Sequence, residues 1–175
     1  MRQQAAKRWY DAAMTVAGYG VSVERNRLRF AAAHMATFAG DCEPLHGHNY
    51  QLIVELEGGL TEDSWVWDFG ALKRAARELA EALDHKFLLQ RASRVLRIEE
   101  SEGCVIVAFG EREYRFPASD VASLPIDNTT AERLAEYIGG KLLETLRGEG
   151  ADHLTRLRIG VEEMPGQAGW CTLIL

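Results

Sequence analysis

Two histidines separated by a single residue, His46 and His48, place the tightest constraint on this chain. In an extended segment residues two apart project from the same face, so both imidazoles would point to one side of a strand. The stretch that follows keeps a period of two: Tyr50, Leu52, Val54 and Leu56 alternate with Asn49, Gln51 and Glu55, the pattern of a half-buried strand. Upstream, Leu28, Phe30, Ala32 and His34 share one side if that run is also a strand, which makes His34 the candidate for a third nitrogen. Three neutral imidazoles and an open fourth position describe a catalytic zinc site, whereas structural zinc is usually closed by four ligands rich in cysteine. His34, His46 and His48 are therefore read as Zn²⁺ ligands.

Composition narrows what such a site serves. A chain of 175 residues, 47% hydrophobic, suits one domain with a real core. A net charge of −6 argues against a nucleic-acid partner. No apolar run approaches the ~20 residues of a membrane span, and the N-terminus lacks a signal-peptide pattern. Cys42, Cys104 and Cys171 are widely spaced and odd in number, a poor disulfide framework that suits a reducing, cytoplasmic compartment.

Taken in order, residues 1–20 read as an N-terminal extension in which Ala5, Ala6, Trp9, Ala12 and Ala13 permit a short helix. A strand over Val21 to His34 is expected to bend near Asn26, and the loop from Met35 to Leu45 to deliver Cys42 beside the histidines. Asp68 is a plausible N-cap for a helix to about Asp84 with the stripe Leu72, Ala75, Ala76, Leu79, Ala80 and Leu83. Residues 87–124 hold two extended candidates, Cys104 to Phe109 and Glu113 to Phe116, read as an inserted hairpin. Thr129-x-x-Glu132 has the form of a capping box, followed by Leu134, Ile138, Leu142 and Leu146 at helical spacing. Leu154 to Val161 and Trp170 to Leu175 close the chain as two more strands. The expected fold is α+β: a four-stranded antiparallel sheet with two helices on one face.

Phe30-Ala31-Ala32-Ala33-His34 and Cys42-x-x-x-His46-Gly47-His48-Asn49-Tyr50 resemble the 6-pyruvoyltetrahydropterin and 6-carboxytetrahydropterin synthase family. Further blocks agree in the family's order: Val66-Trp67-Asp68-Phe69-Gly70-x-Leu72-Lys73, Leu83-Asp84-His85-Lys86, Asn128-Thr129-Thr130-Ala131-Glu132 and Val161-Glu162-Glu163-Met164-Pro165. The resemblance implies the tunnelling fold, or T-fold, over residues 21–175, assembled as a homohexamer of two trimers. It also implies a pterin triphosphate substrate, 7,8-dihydroneopterin triphosphate, and loss of triphosphate during the reaction. Cys42 would move protons near zinc, with Asp84 and His85 completing the relay from across a subunit interface. Glu163 would anchor the pterin ring, and Thr130 is a weaker substrate-site candidate.

The short spacing of Cys42 to His46 resembles the branch that forms 6-carboxytetrahydropterin with release of acetaldehyde on the queuosine route, the first expectation for this chain. Glu43-x-x-His46-Gly47-His48 also resembles a branch in which glutamate replaces cysteine and the side chain is cleaved to 6-hydroxymethyl-7,8-dihydropterin for folate synthesis. Glu43 is thus a second candidate base or a solvated loop acid. Formation of 6-pyruvoyltetrahydropterin, or a zinc and pterin binding module without turnover, completes the set of readings.

Overall fold

A computed structural model of the chain describes residues 16–175, so the helix permitted by the first residues lies outside the described part. In chain order the strands and helices are β1 (Tyr19–His34), β2 (Thr37–Phe38), β3 (Asp41–Cys42), β4 (His46–Gly58), α1 (Phe69–Leu83), β5 (Lys86–Gln90), β6 (Arg97–Ser101), β7 (Cys104–Phe109), β8 (Arg112–Pro117), β9 (Val121–Leu124), α2 (Ala131–Gly148), β10 (Leu154–Met164) and β11 (Gln167–Ile174). The main sheet runs β11-β10-β4-β1-β5-β9. Its first four members are the expected antiparallel set, and β5 and β9 continue it beyond β1 as parallel strands. The expected hairpin is β7–β8, to which β6 adds a third antiparallel strand.

The bend expected near Asn26 is a bulge that decides where His34 points. The β1–β4 register shifts between Glu24 and Arg29, and Arg25 and Arg27 take positive φ. Before the bulge odd-numbered Val23 is buried; after it even-numbered Leu28, Phe30, Ala32 and His34 are. Between Glu24 and Arg29 β1 advances five residues while β4 advances two, from Ile53 to Gln51, and this odd surplus of three moves the alternation to the other parity, which a regular strand cannot do.

Both helices cover the face formed by Tyr50, Leu52, Val54 and Leu56, each fully buried. Leu72, Ala76 and Ala80 of α1 and Leu134, Ile138, Leu142 and Leu146 of α2 pack onto it, and each buried leucine contributes roughly 1.5–3 kcal/mol. Asp68 caps α1 as expected, its carboxylate accepting the Ala71 N–H at 2.7 Å. The cap of α2 is Thr130, one residue later than the capping-box pattern indicates: its hydroxyl accepts the Arg133 N–H, while Thr129 is fully buried. Thr129 is drawn inward because its carbonyl and hydroxyl are both engaged in the interior.

A second, smaller apolar cluster lies between the three-stranded sheet and the main one. It contains Met35, Cys42, Phe87, Leu89, Leu96, Val105 and Val107.

Candidate metal centre

His34 closes β1 and His46 opens β4, and the two are directly opposite in the antiparallel register; His48 lies opposite Ala32. One ligand atom from each imidazole falls within 4.8 Å of the others. Gly47 between the two β4 histidines is held by close strand approach: a Cβ there would meet the Ala32 carbonyl oxygen at 2.8 Å.

The outer nitrogens fix the tautomers. His34 Nδ1 lies 2.9 Å from the Thr129 carbonyl oxygen and His46 Nδ1 lies 2.9 Å from that of Pro44, so in the neutral rings both Nδ1–H groups donate. Their Nε2 lone pairs then face each other at 3.1 Å with no proton between them. Two lone pairs so placed ask for a cation. Zn–N bonds of ~2.0–2.1 Å set tetrahedral nitrogens roughly 3.3 Å apart, so this donor set fits zinc. Burial, the dominant cause, holds His34 down to about 4 against the bond to Thr129, which keeps it neutral and ready to ligate.

Beside the histidines opens a cavity of about 440 Å³ lined in part by Glu43, Thr130, Glu132, Glu163 and Gly169. Gly169 of β11 abuts the start of α2, where a Cβ would stand 2.6 Å from the Glu132 amide nitrogen. Glu163 reaches this cavity, while Glu162 turns away to accept the Gly166 N–H at 2.9 Å. Glu43 is half-exposed, and its Oε2 is 3.7 Å from His46 Nε2.

Cys42 is not on this cavity. Its side chain is buried in the second apolar cluster, its thiol 3.4 Å from the Glu43 carbonyl oxygen, and burial pushes the thiol up despite the nearby Arg112 cation. Cys42 and Glu43 leave the chain on opposite sides, so the loop delivers the glutamate to the histidines and the cysteine to the core.

Asp84 and His85 stand elsewhere again. Asp84 Oδ2 meets His85 Nδ1 at 2.8 Å, and Asp84 Oδ1 accepts the Ala31 N–H at 2.7 Å, the main reason its carboxyl sits below the usual range. His85, at φ 58° and largely exposed, lines a different cavity of about 500 Å³ with Ala31, Ala33, Gly47 and Asn49. His48 also borders this second cavity, while neither Asp84 nor His85 lines the one that opens beside the three histidines.

Sequence reasoning passed over the groups that brace the centre. Buried Gln90 donates to the Met35 carbonyl at 2.7 Å and lies 3.4 Å from the Thr129 hydroxyl, fixing the residue whose carbonyl orients His34. The one signal was a glutamine ending the apolar run Phe87-Leu88-Leu89.

Comparison with known proteins decides the relationship. The profile of the family described as 6-pyruvoyl tetrahydropterin synthase matches residues 23–172. The chain belongs to that family. A Methanocaldococcus jannaschii protein, described as a candidate 6-carboxy-5,6,7,8-tetrahydropterin synthase, is 32% identical over 141 residues, covering 80% of this chain and 86% of its own. The Haemophilus influenzae 6-carboxy-5,6,7,8-tetrahydropterin synthase is 27% identical over 108 residues, 59% of this chain and 68% of its own. Among solved structures, the Plasmodium vivax 6-pyruvoyl tetrahydropterin synthase superposes with a TM-score of 0.86 at 30% identity, covering 91% of this chain and all of its own. A variant of the Plasmodium vivax protein in which a catalytic glutamate is replaced by alanine aligns at 0.85. Members of the 6-pyruvoyl tetrahydropterin synthase family are enzymes acting on pterins, so this chain is an enzyme with the T-fold and a histidine triad able to hold a metal.

Proposed function

We propose that this family member is a zinc-dependent lyase that cleaves the side chain of 7,8-dihydroneopterin triphosphate to 6-hydroxymethyl-7,8-dihydropterin, with Glu43 as the base. One observation carries the reading: Glu43 stands on the cavity beside His46, while Cys42 is buried in a separate apolar cluster. The catalytic glutamate of the Plasmodium vivax relative supports it.

His34, His46 and His48 would hold zinc, which when bound polarises the side-chain oxygens and makes their hydroxyls more acidic. Glu163 accepts two hydrogen bonds from the pterin 2-amino group and ring N–H. Glu43 takes the proton of a side-chain hydroxyl. The bond between the first and second side-chain carbons breaks as the deprotonated oxygen on the second becomes an aldehyde carbonyl; its electron pair moves into the ring imine, the proton returns from Glu43 to the first carbon, and the two-carbon aldehyde leaves carrying the triphosphate. Thr130, whose hydroxyl caps α2, shapes the cavity wall.

A second reading, formation of 6-carboxytetrahydropterin and acetaldehyde on the queuosine route, is favoured by the names of the archaeal and Haemophilus relatives. It requires Cys42 to leave its cluster. In both readings the chain assembles as a homohexamer in the cytoplasm, with Asp84 and His85 reaching a neighbouring copy's zinc. Residues 21–175 are the catalytic domain and 1–20 an extension. Mass spectrometry of the products formed by the zinc-loaded protein separates the two: 6-hydroxymethyl-7,8-dihydropterin supports the first, acetaldehyde with the carboxylated pterin the second.

A further inference from the structure

The segment that carries Glu43 is gripped from the three-stranded sheet. Arg112, at the start of β8, donates through Nη2 to the Cys42 carbonyl oxygen at 2.5 Å. That carbonyl belongs to the peptide whose N–H is Glu43's own, and the Glu43 N–H donates to the Ala36 carbonyl at 2.9 Å. The peptide is therefore bonded at both of its polar ends, which fixes its plane. The Arg112 guanidinium is steadied in turn by the Phe109 ring, 5.3 Å from its centroid.

The neighbouring bonds tighten the same bracket. The Asp41 carboxylate accepts the Cys42 N–H at 2.7 Å, so the backbone on the other side of Cys42 is bonded as well. Pro44 follows Glu43 and restricts it to extended backbone. The Asn128 side chain bonds both polar groups of Thr37 and ties the β2–β3 hairpin to the approach to α2. Arg112 is the member of this set that comes from the three-stranded sheet, and its bond is to the peptide immediately before the base.

We propose that Arg112 is a positioning residue for catalysis: by holding the Cys42–Glu43 peptide it aims the Glu43 carboxylate at the substrate bound beside His46. The inference rests on Glu43 being the base. It gives the sheet formed by β6, β7 and β8 a part in the reaction, although none of its side chains lines the histidine cavity. Displacing a reacting group by about 1 Å can cost on the order of 100-fold in rate, so a lost tether should appear in kcat rather than in binding.

The test is a double-mutant cycle on the zinc-loaded protein, with amide exchange as a second readout. Arg112→Ala is expected to lower kcat by roughly 10- to 100-fold with KM and zinc content unchanged, and to speed exchange at the Glu43 amide. Arg112→Lys, which keeps a cationic donor but not the planar guanidinium, should recover part of the rate. In the Glu43→Gln background Arg112→Ala should cost nothing further. Arg97→Ala, which removes exposed ion pairs on the same sheet, is the control and should leave turnover unaltered. An equal loss from Arg112→Ala in both backgrounds, or none in either, overturns the inference while leaving Glu43 as base. Full activity in Glu43→Gln alone overturns the reading beneath it.

Discussion

His34 Nε2 and His46 Nε2 face each other at 3.1 Å across the first pair of the β1–β4 ladder, each ring tied behind by a backbone carbonyl. With His48, these nitrogens form a donor set able to hold a cation. Metal binding and folding should therefore be coupled, and the coupling is measurable.

Zinc should raise the melting temperature of the metal-free protein. At a free concentration 1,000 times its Kd the ion adds about 4 kcal/mol of stability, and His34→Ala should abolish that increment. Differential scanning calorimetry with and without a chelator reads both; an unchanged melting temperature on adding zinc would refute the site.

The metal-free protein should weaken in mild acid because of His34. Burial lowers its folded pKa to about 4 from 6.5, so the unfolded chain takes up a proton first as pH falls. This contribution is present in full above pH 6.5, is lost as pH falls toward 4, and amounts to roughly 3 kcal/mol. Urea melts of chelated protein across that window, compared with His34→Gln, measure it; a pH-independent difference between the two would contradict the assignment.

Gly47→Ala should damage the centre without touching a ligand. The added Cβ would sit 2.8 Å from the Ala32 carbonyl, forcing β4 from β1 where His34 and His46 are paired. A loss of about 1–3 kcal/mol and at least tenfold weaker zinc binding are expected, by thermal melts and metal titration. Wild-type affinity in this variant would show that the strands separate freely.

Cys42→Ala should read as a packing change. Removing a buried side chain among Met35, Leu89 and Val105 costs on the order of 1–2 kcal/mol, with zinc content and kcat/KM near wild type. A variant that melts normally yet fails to turn over would return the proton transfer to the thiol.

Much of this was legible because it is periodic. The period of two from His46 to Leu56 and the stripes of both helices gave the sheet, its buried face and the convergence of β-strand histidines. The rest was hidden for definite reasons. Parallel β5, Lys86–Gln90, shows no alternation because four of its five residues are buried, and β6, Arg97–Ser101, is too polar to read as a strand. The α2 cap moved from Thr129 to Thr130 because a tertiary bond to His34 claimed Thr129. Cys42 and Glu43 are adjacent, so no local pattern tells which faces the metal; the answer lies in Val105, Val107 and Arg112, more than sixty residues away.

The central claim is that Glu43, not Cys42, moves the proton. The direct measurement is kcat for Glu43→Gln and Cys42→Ala, each zinc-loaded and given 7,8-dihydroneopterin triphosphate. We expect Glu43→Gln to fall by about 100- to 10,000-fold while Cys42→Ala stays within about threefold of wild type. The reverse order, an inert Cys42→Ala beside an active Glu43→Gln, would contradict it.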